Sequence, residues 1–155
     1  MGDYKLVTVG TDGSASAERA VVRAAELCAD SGARLLIVCA YVNRQASSGG
    51  SPQDRAEAER ALGDDAYKIV GASPAEETLR DARDRALRAG AGTVDTVAVE
   101  GDPTEAIIAK SDLHKADLVV VGNKGLASFA GRLIGSVPQQ VSRRSRADVL
   151  IVHTT

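Results

Sequence analysis

The stretch with the most chemical content runs Val121-Gly122-Asn123-Lys124-Gly125, then nine residues, then Gly135-Ser136-Val137. It leaves an apolar run, crosses a glycine-punctuated loop and enters a helical pattern at Gly135-Ser136. Main-chain N–H groups at a helix start, backed by the partial positive charge of the helix dipole, make a phosphate site. Glycine lets phosphate oxygens approach the backbone closely. The Ser136 hydroxyl could donate to the same oxygens, and Lys124 and Arg132 could offset remaining charge from the rim. Exposed basic side chains are also commonly just solvated, so these two carry less weight.

A second stretch, Val9-Gly10-Thr11-Asp12-Gly13-Ser14, joins an apolar run to a helical pattern. Its glycines permit a tight turn close to a ligand, and the Asp12 carboxylate can accept hydrogen bonds from an amine or a ribose hydroxyl. The same residues equally suit an ordinary turn and helix N-cap.

Other chemistries leave little trace. Nucleotide hydrolysis needs a positioned water, charge stabilisation and usually a held metal. The chain has no G-x-x-x-x-G-K-[ST] loop and no G-x-G-x-x-G fingerprint. His114 and His153 have no second histidine or cysteine at ligand spacing, so no metal site is expected. Ser14 and Ser136 lack the G-x-S-x-G context of a nucleophile elbow. Cys28 and Cys39 lie eleven residues apart inside apolar stretches, without C-x-x-C spacing, and read as buried reduced thiols. A phosphoacceptor receiver would need an acidic pair after the first strand and a lysine ending the last; this chain offers Asp12 alone and His153.

Alternating elements must position these residues. Strands are predicted at Lys5–Val9, Arg34–Ala40, Val94–Val99, Asp117–Val121 and Asp148–His153, three of them nearly continuous apolar runs suited to burial on both faces. Between them, Ala17, Ala20, Val21, Ala24, Leu27 and Cys28 repeat at three and four residues behind an N-cap at Ser14 or Ser16. A second helix is carried by Leu79, Ala82, Ala86 and Leu87, from near Ser73-Pro74 to Gly90. A third opens at Asp102-Pro103 and runs to about Lys115, and a short last one spans about Val137 to Ser145. The pattern predicts a single doubly wound α/β domain over residues 1–155, a five-stranded parallel sheet with helices on both faces. Tyr41 to Ala72 is too long for a plain connection; a glycine- and serine-rich lip followed by a helix over Gln53–Leu62 is expected there, as a gate to the site or a tolerated insertion.

With 155 residues, 44% hydrophobic and 26% charged, the chain is of the ordinary globular class, able to bury a core without staples. A net charge of -2 provides no field to draw in nucleic acid or anionic lipid. No apolar run is long enough to span a membrane and no secretory signal is legible, so a cytoplasmic location is expected. Gly2 lacks the serine or threonine that would support myristoylation.

The Gly122-x-x-Gly125, nine-residue, Gly135-Ser136 pattern resembles the nucleotide-binding motif of the universal stress protein family, in its ATP-binding branch. The resemblance spans nearly the whole chain, from Thr11-Asp12-Gly13-Ser14 to the closing Ala147-Asp148-Val149-Leu150-Ile151-Val152-His153. It implies a Rossmann-like sheet of strand order 3-2-1-4-5 with an adenine nucleotide across the carboxyl edge of strands one and four. Gly10, Thr11, Asp12 and Gly13 would lie near the adenosine end and the Ala40 backbone at the base. Val121, Gly122, Asn123, Lys124, Gly125, Arg132, Gly135, Ser136 and Val137 would follow the ribose and phosphates. The ligand implied is ATP, with Mg²⁺ as companion, or AMP, or cyclic AMP, which certain actinobacterial members favour.

One departure bears on that choice. Pro138 stands where many relatives carry a hydroxyl residue, and it removes a side-chain donor and a backbone N–H together. The resemblance further implies a non-catalytic or slowly hydrolysing stress-adaptation sensor or nucleotide reservoir. With strand five at the sheet edge, its Val149-Leu150-Ile151-Val152 run invites a homodimer. The competing reading is a homodimeric interaction protein whose glycine loop is structural.

Overall fold

The computed structural model describes residues 4–42, 72–123 and 137–153. The elements are β1 (Leu6–Gly10), α1 (Ala15–Ser31), β2 (Arg34–Tyr41), α2 (Ala72–Arg88), β3 (Val94–Glu100), α3 (Pro103–His114), β4 (Leu118–Gly122), α4 (Val137–Arg144) and β5 (Asp148–Val152). The five strands form one parallel sheet in the order β3-β2-β1-β4-β5. The expected fold class and strand order are therefore those observed; the expected helix over Gln53–Leu62 lies outside the described residues.

Strand alternation divides the core into two layers. Val7, Val9, Leu35, Ile37, Cys39, Leu118 and Val120 pack with α1 and α2 on one face. Leu36, Val38, Val119 and Val121 pack with α3 and α4 on the other. Central β1, β2 and β4 are covered on both faces, which is why their sequences are mostly apolar, with Thr8 of β1 buried among them.

Helix ends follow local chemistry. Ser14, not Ser16, is the N-cap of α1, its hydroxyl oxygen accepting from the Ala17 N–H at 3.1 Å. Gly32, at φ 76°, closes the helix with its N–H on the Cys28 carbonyl. Asp102 caps α3 through the Glu105 N–H, with Pro103 first in the helix. α2 begins at Ala72, slightly before the expected Ser73-Pro74.

β1 and β4 each begin and end one residue later than expected. At the starting ends Asp117 joins the two strands: its Oδ2 accepts from the N–H groups of Lys5 and Leu6 at 2.7 and 2.9 Å, and its own N–H donates to the Leu6 carbonyl at 2.9 Å. The later endings carry Gly10 and Gly122 into the sheet, at its carboxyl edge.

Candidate functional site

From β1 the chain crosses through α1 to β2 on one side; from β4 it crosses through α4 to β5 on the other. The segments leaving β1 and β4 thus diverge, and the gap at their carboxyl ends is the topological switch point where doubly wound sheets bind ligands. Pairing between these strands stops at Val9↔Val120, while Gly122 still pairs with Val152 of β5.

Hydrogen-bond alternation shows which main-chain groups face this gap. The Asn123 N–H donates to the Val152 carbonyl, so odd-numbered residues at the end of β4 bond toward β5. The peptide groups of Gly122 therefore face β1, beyond its last pairing. On β2, Thr11 donates to Val38 while Gly101 donates to Tyr41, so even-numbered residues face β1. Ala40 is the next even residue, and the last β1–β2 pair is Gly10↔Val38. Its N–H and C=O thus project past the end of β1, as a base-reading backbone would require.

Asp12 lies in the β1–α1 turn, which leaves the carboxyl end of β1. The Gly13 N–H donates to Thr11 Oγ1 at 3.1 Å, and the Ser14 N–H to Asp12 Oδ1 at 2.9 Å. Gly13 takes φ 82°, a left-handed conformation that glycine adopts without strain. Asp12 Oδ2 is buried and has no partner among the described residues. Burial pushes the Asp12 carboxyl above its usual range, while its bonds from Ser14 oppose the shift. A buried acceptor left without a donor is costly, and a ligand N–H or O–H would relieve it.

Of the expected site residues, Gly10, Thr11, Asp12, Gly13, Ala40, Gly122 and Asn123 lie along this one edge. Val121 and Val137 also stand at its elements' ends, but their side chains are buried in the α3–α4 core layer, so only their main chains could meet a ligand. Lys124, Gly125, Arg132, Gly135 and Ser136 lie outside the described residues. Thr78 was not legible in the sequence: it belongs to α2, yet an ideal β-carbon on Gly13 would lie 3.3 Å from its Cγ2.

Cys39 lies in the core below this turn, and burial, with the nearby Asp12 charge, pushes its thiol up to about 12. Cys28 is pushed up to about 11 by burial. Both are free and buried, hence poor nucleophiles near neutral pH. His114 and His153 are exposed, and among the described residues no three His, Cys, Asp or Glu side chains converge to hold a metal ion. No helix among them is long and apolar enough to cross a membrane.

Sheet order, parallel pairing and the switch point at the carboxyl ends of β1 and β4 define a doubly wound α/β protein of the Rossmann-like class. Residues 3–153 match the sequence model of the universal stress protein family, and the chain belongs to that family. It is 48% identical to universal stress protein Rv1636 of Mycobacterium tuberculosis H37Rv over all of both chains. A universal stress protein crystallised in complex with cAMP is 43% identical, with 98% of each chain covered and a TM-score of 0.73. The universal stress protein from Archaeoglobus fulgidus in complex with dAMP is 20% identical, covers 97% of this chain and 98% of its own, and has a TM-score of 0.62; that likeness carries the fold alone.

Proposed function

We propose that this chain binds an adenine nucleotide at the carboxyl edge between β1 and β4, cyclic AMP in preference to AMP or ATP, and acts as a sensor or reservoir of it. The observation that carries the reading is Asp12 Oδ2, buried without a donor among the described residues, in the turn that leaves the carboxyl end of β1. An adenine amine or a ribose hydroxyl would supply one, and the Ala40 main chain, past the last β1–β2 pair, offers a donor and an acceptor at the same sheet edge. In this assignment Gly122, Gly125, Gly135 and Ser136 follow the ribose and phosphate, with Lys124 and Arg132 at the rim.

The preference for one phosphate rests on α4. Pro138 is its second residue, so one of the main-chain donors that a helix start normally offers to an anion is absent. A cyclic monophosphate, with a single charge, asks less of that helix than a triphosphate does. The 43% identical relative crystallised with cAMP supports the same choice. Calorimetric titration with cAMP, AMP and ATP, with and without Mg²⁺, tests it. The expected order is cAMP, AMP, ATP, with cAMP binding indifferent to Mg²⁺; Mg²⁺-ATP binding first overturns the ligand, and no binding by any overturns the function.

A second reading, an interaction protein, draws on β5. It lies at the sheet edge, with Ile151 39% exposed. An apolar edge strand presents unpaired backbone groups, so a homodimer through β5 is proposed for either reading. Gel filtration is expected to give a dimer that Ile151→Lys converts to a monomer; a wild-type monomer at micromolar concentration refutes the pairing.

A further inference from the structure

We propose that Thr78 is a positioning residue for the nucleotide site, its branched side chain bracing the turn that aims Asp12 from a separate helix. The inference rests on the nucleotide-binding reading above.

The turn's internal bonds leave one side unrestrained. Thr11 Oγ1 and Asp12 Oδ1 accept from the N–H groups of Gly13 and Ser14, and the Ser14 hydroxyl oxygen accepts from Ala17. All of these draw the chain inward. Gly13 itself has no side chain to pack, and glycine has the widest backbone freedom of any residue. It is also the link between Asp12 and the helix cap, so rocking at Gly13 would swing the carboxylate relative to α1.

Thr78 occupies the outer side. A β-carbon on Gly13 would lie 3.3 Å from Thr78 Cγ2, 3.4 Å from Oγ1 and 4.0 Å from Cβ. The wall is stiff for two reasons. A β-branched side chain on a helix has few rotamers. Its helix is also anchored on either side of it, by Ala75 and Leu79 in the core shared by α1, β1 and β2. An Arg85–Glu18 ion pair at 3.3 Å ties the same two helices further along. Thr78 is thus held by one helix and stands beside a turn that belongs to another. A preorganised acceptor binds more tightly than one that must be ordered on association.

The test uses the full chain carrying Thr78→Ala or Thr78→Val, titrated with cAMP by calorimetry, and the ligand-free Asp12 carboxyl titrated by carbon NMR. Thr78→Ala removes the side-chain atoms that stand next to Gly13 and is expected to weaken cAMP binding by about tenfold. It should also move the Asp12 pKa down toward the ordinary carboxylate value, as a loosened turn admits water. Thr78→Val keeps the branch and is expected to stay within about twofold of wild type, with the Asp12 titration unchanged. Wild-type affinity in Thr78→Ala overturns the proposal, and so does weakened binding with an unmoved Asp12 titration, because Thr78 would then act without the turn. If the wild type itself binds no cAMP, the nucleotide reading fails. The NMR titration still decides the brace: movement in Thr78→Ala but not Thr78→Val upholds it, and no movement overturns it.

Discussion

Asp12→Asn is expected to weaken cAMP binding by about a hundredfold, the cost of facing a ligand donor with a second donor inside a buried site. The orientation of the asparagine follows from the turn. Its carbonyl oxygen must take the place of Oδ1, because only an acceptor can receive the Ser14 N–H at that position. The amide NH₂ then points where Oδ2 had been buried without a partner. The same substitution should raise the melting temperature of the ligand-free protein at neutral pH, since it removes a carboxylate whose charge burial disfavours.

The pH dependences of stability and binding run in opposite directions. Asp12 has its folded-state pKa raised above the unfolded value, so the folded chain holds the proton more tightly. Ligand-free stability therefore increases as pH falls through the folded pKa, and the gain is complete below the unfolded value of about 3.9. In the proposed binding mode the nucleotide uses the ionised carboxylate, so affinity is expected to be full above the raised pKa and to decline as pH falls through it. Asp12→Asn should flatten both curves in that window. Thermal melts and cAMP titrations between about pH 4 and pH 7 measure both. Affinity that survives Asp12→Asn would show that Oδ2 is not the acceptor the ligand uses.

Gly122→Val is expected to lower cAMP affinity by more than about tenfold while the sheet is retained. Valine suits a strand, and Gly122 is the last residue of β4, hydrogen-bonded within the sheet opposite Val152. Leu118 and Val120 point into the α1–α2 core layer, so a side chain at position 122 points to the same face one step further on. That step lies past the last β1–β4 pair, at the mouth of the gap beside the Asp12 turn. The new methyl groups would fill space that the ligand needs. Circular dichroism separates this outcome from unfolding, and a folded Gly122→Val protein with wild-type affinity would place the ligand elsewhere.

Much of this arrangement is written locally. The three- and four-residue repeat of Ala17, Ala20, Val21, Ala24 and Cys28 dictates a one-sided helix, and Ser14 and the Asp102-Pro103 pair mark where helices start. Apolar runs in β1, β2 and β4 dictate strands buried on both faces. The glycine spacing of the chain points to the family before any contact is known. These features are readable because each depends on neighbours within a turn or two of the chain.

The tertiary structure decided the rest. The entry into β1 is fixed by Asp117, far along the chain, whose carboxylate takes the N–H groups of Lys5 and Leu6. Asp12 was a candidate acceptor from its sequence context, which an ordinary turn suited equally well, and packing added that Oδ2 is buried without a partner among the described residues. Thr78 became a candidate for the proposed positioning role only because α2 places it next to Gly13. Burial and cross-element contact arise from how distant segments pack, and no window of sequence carries that information.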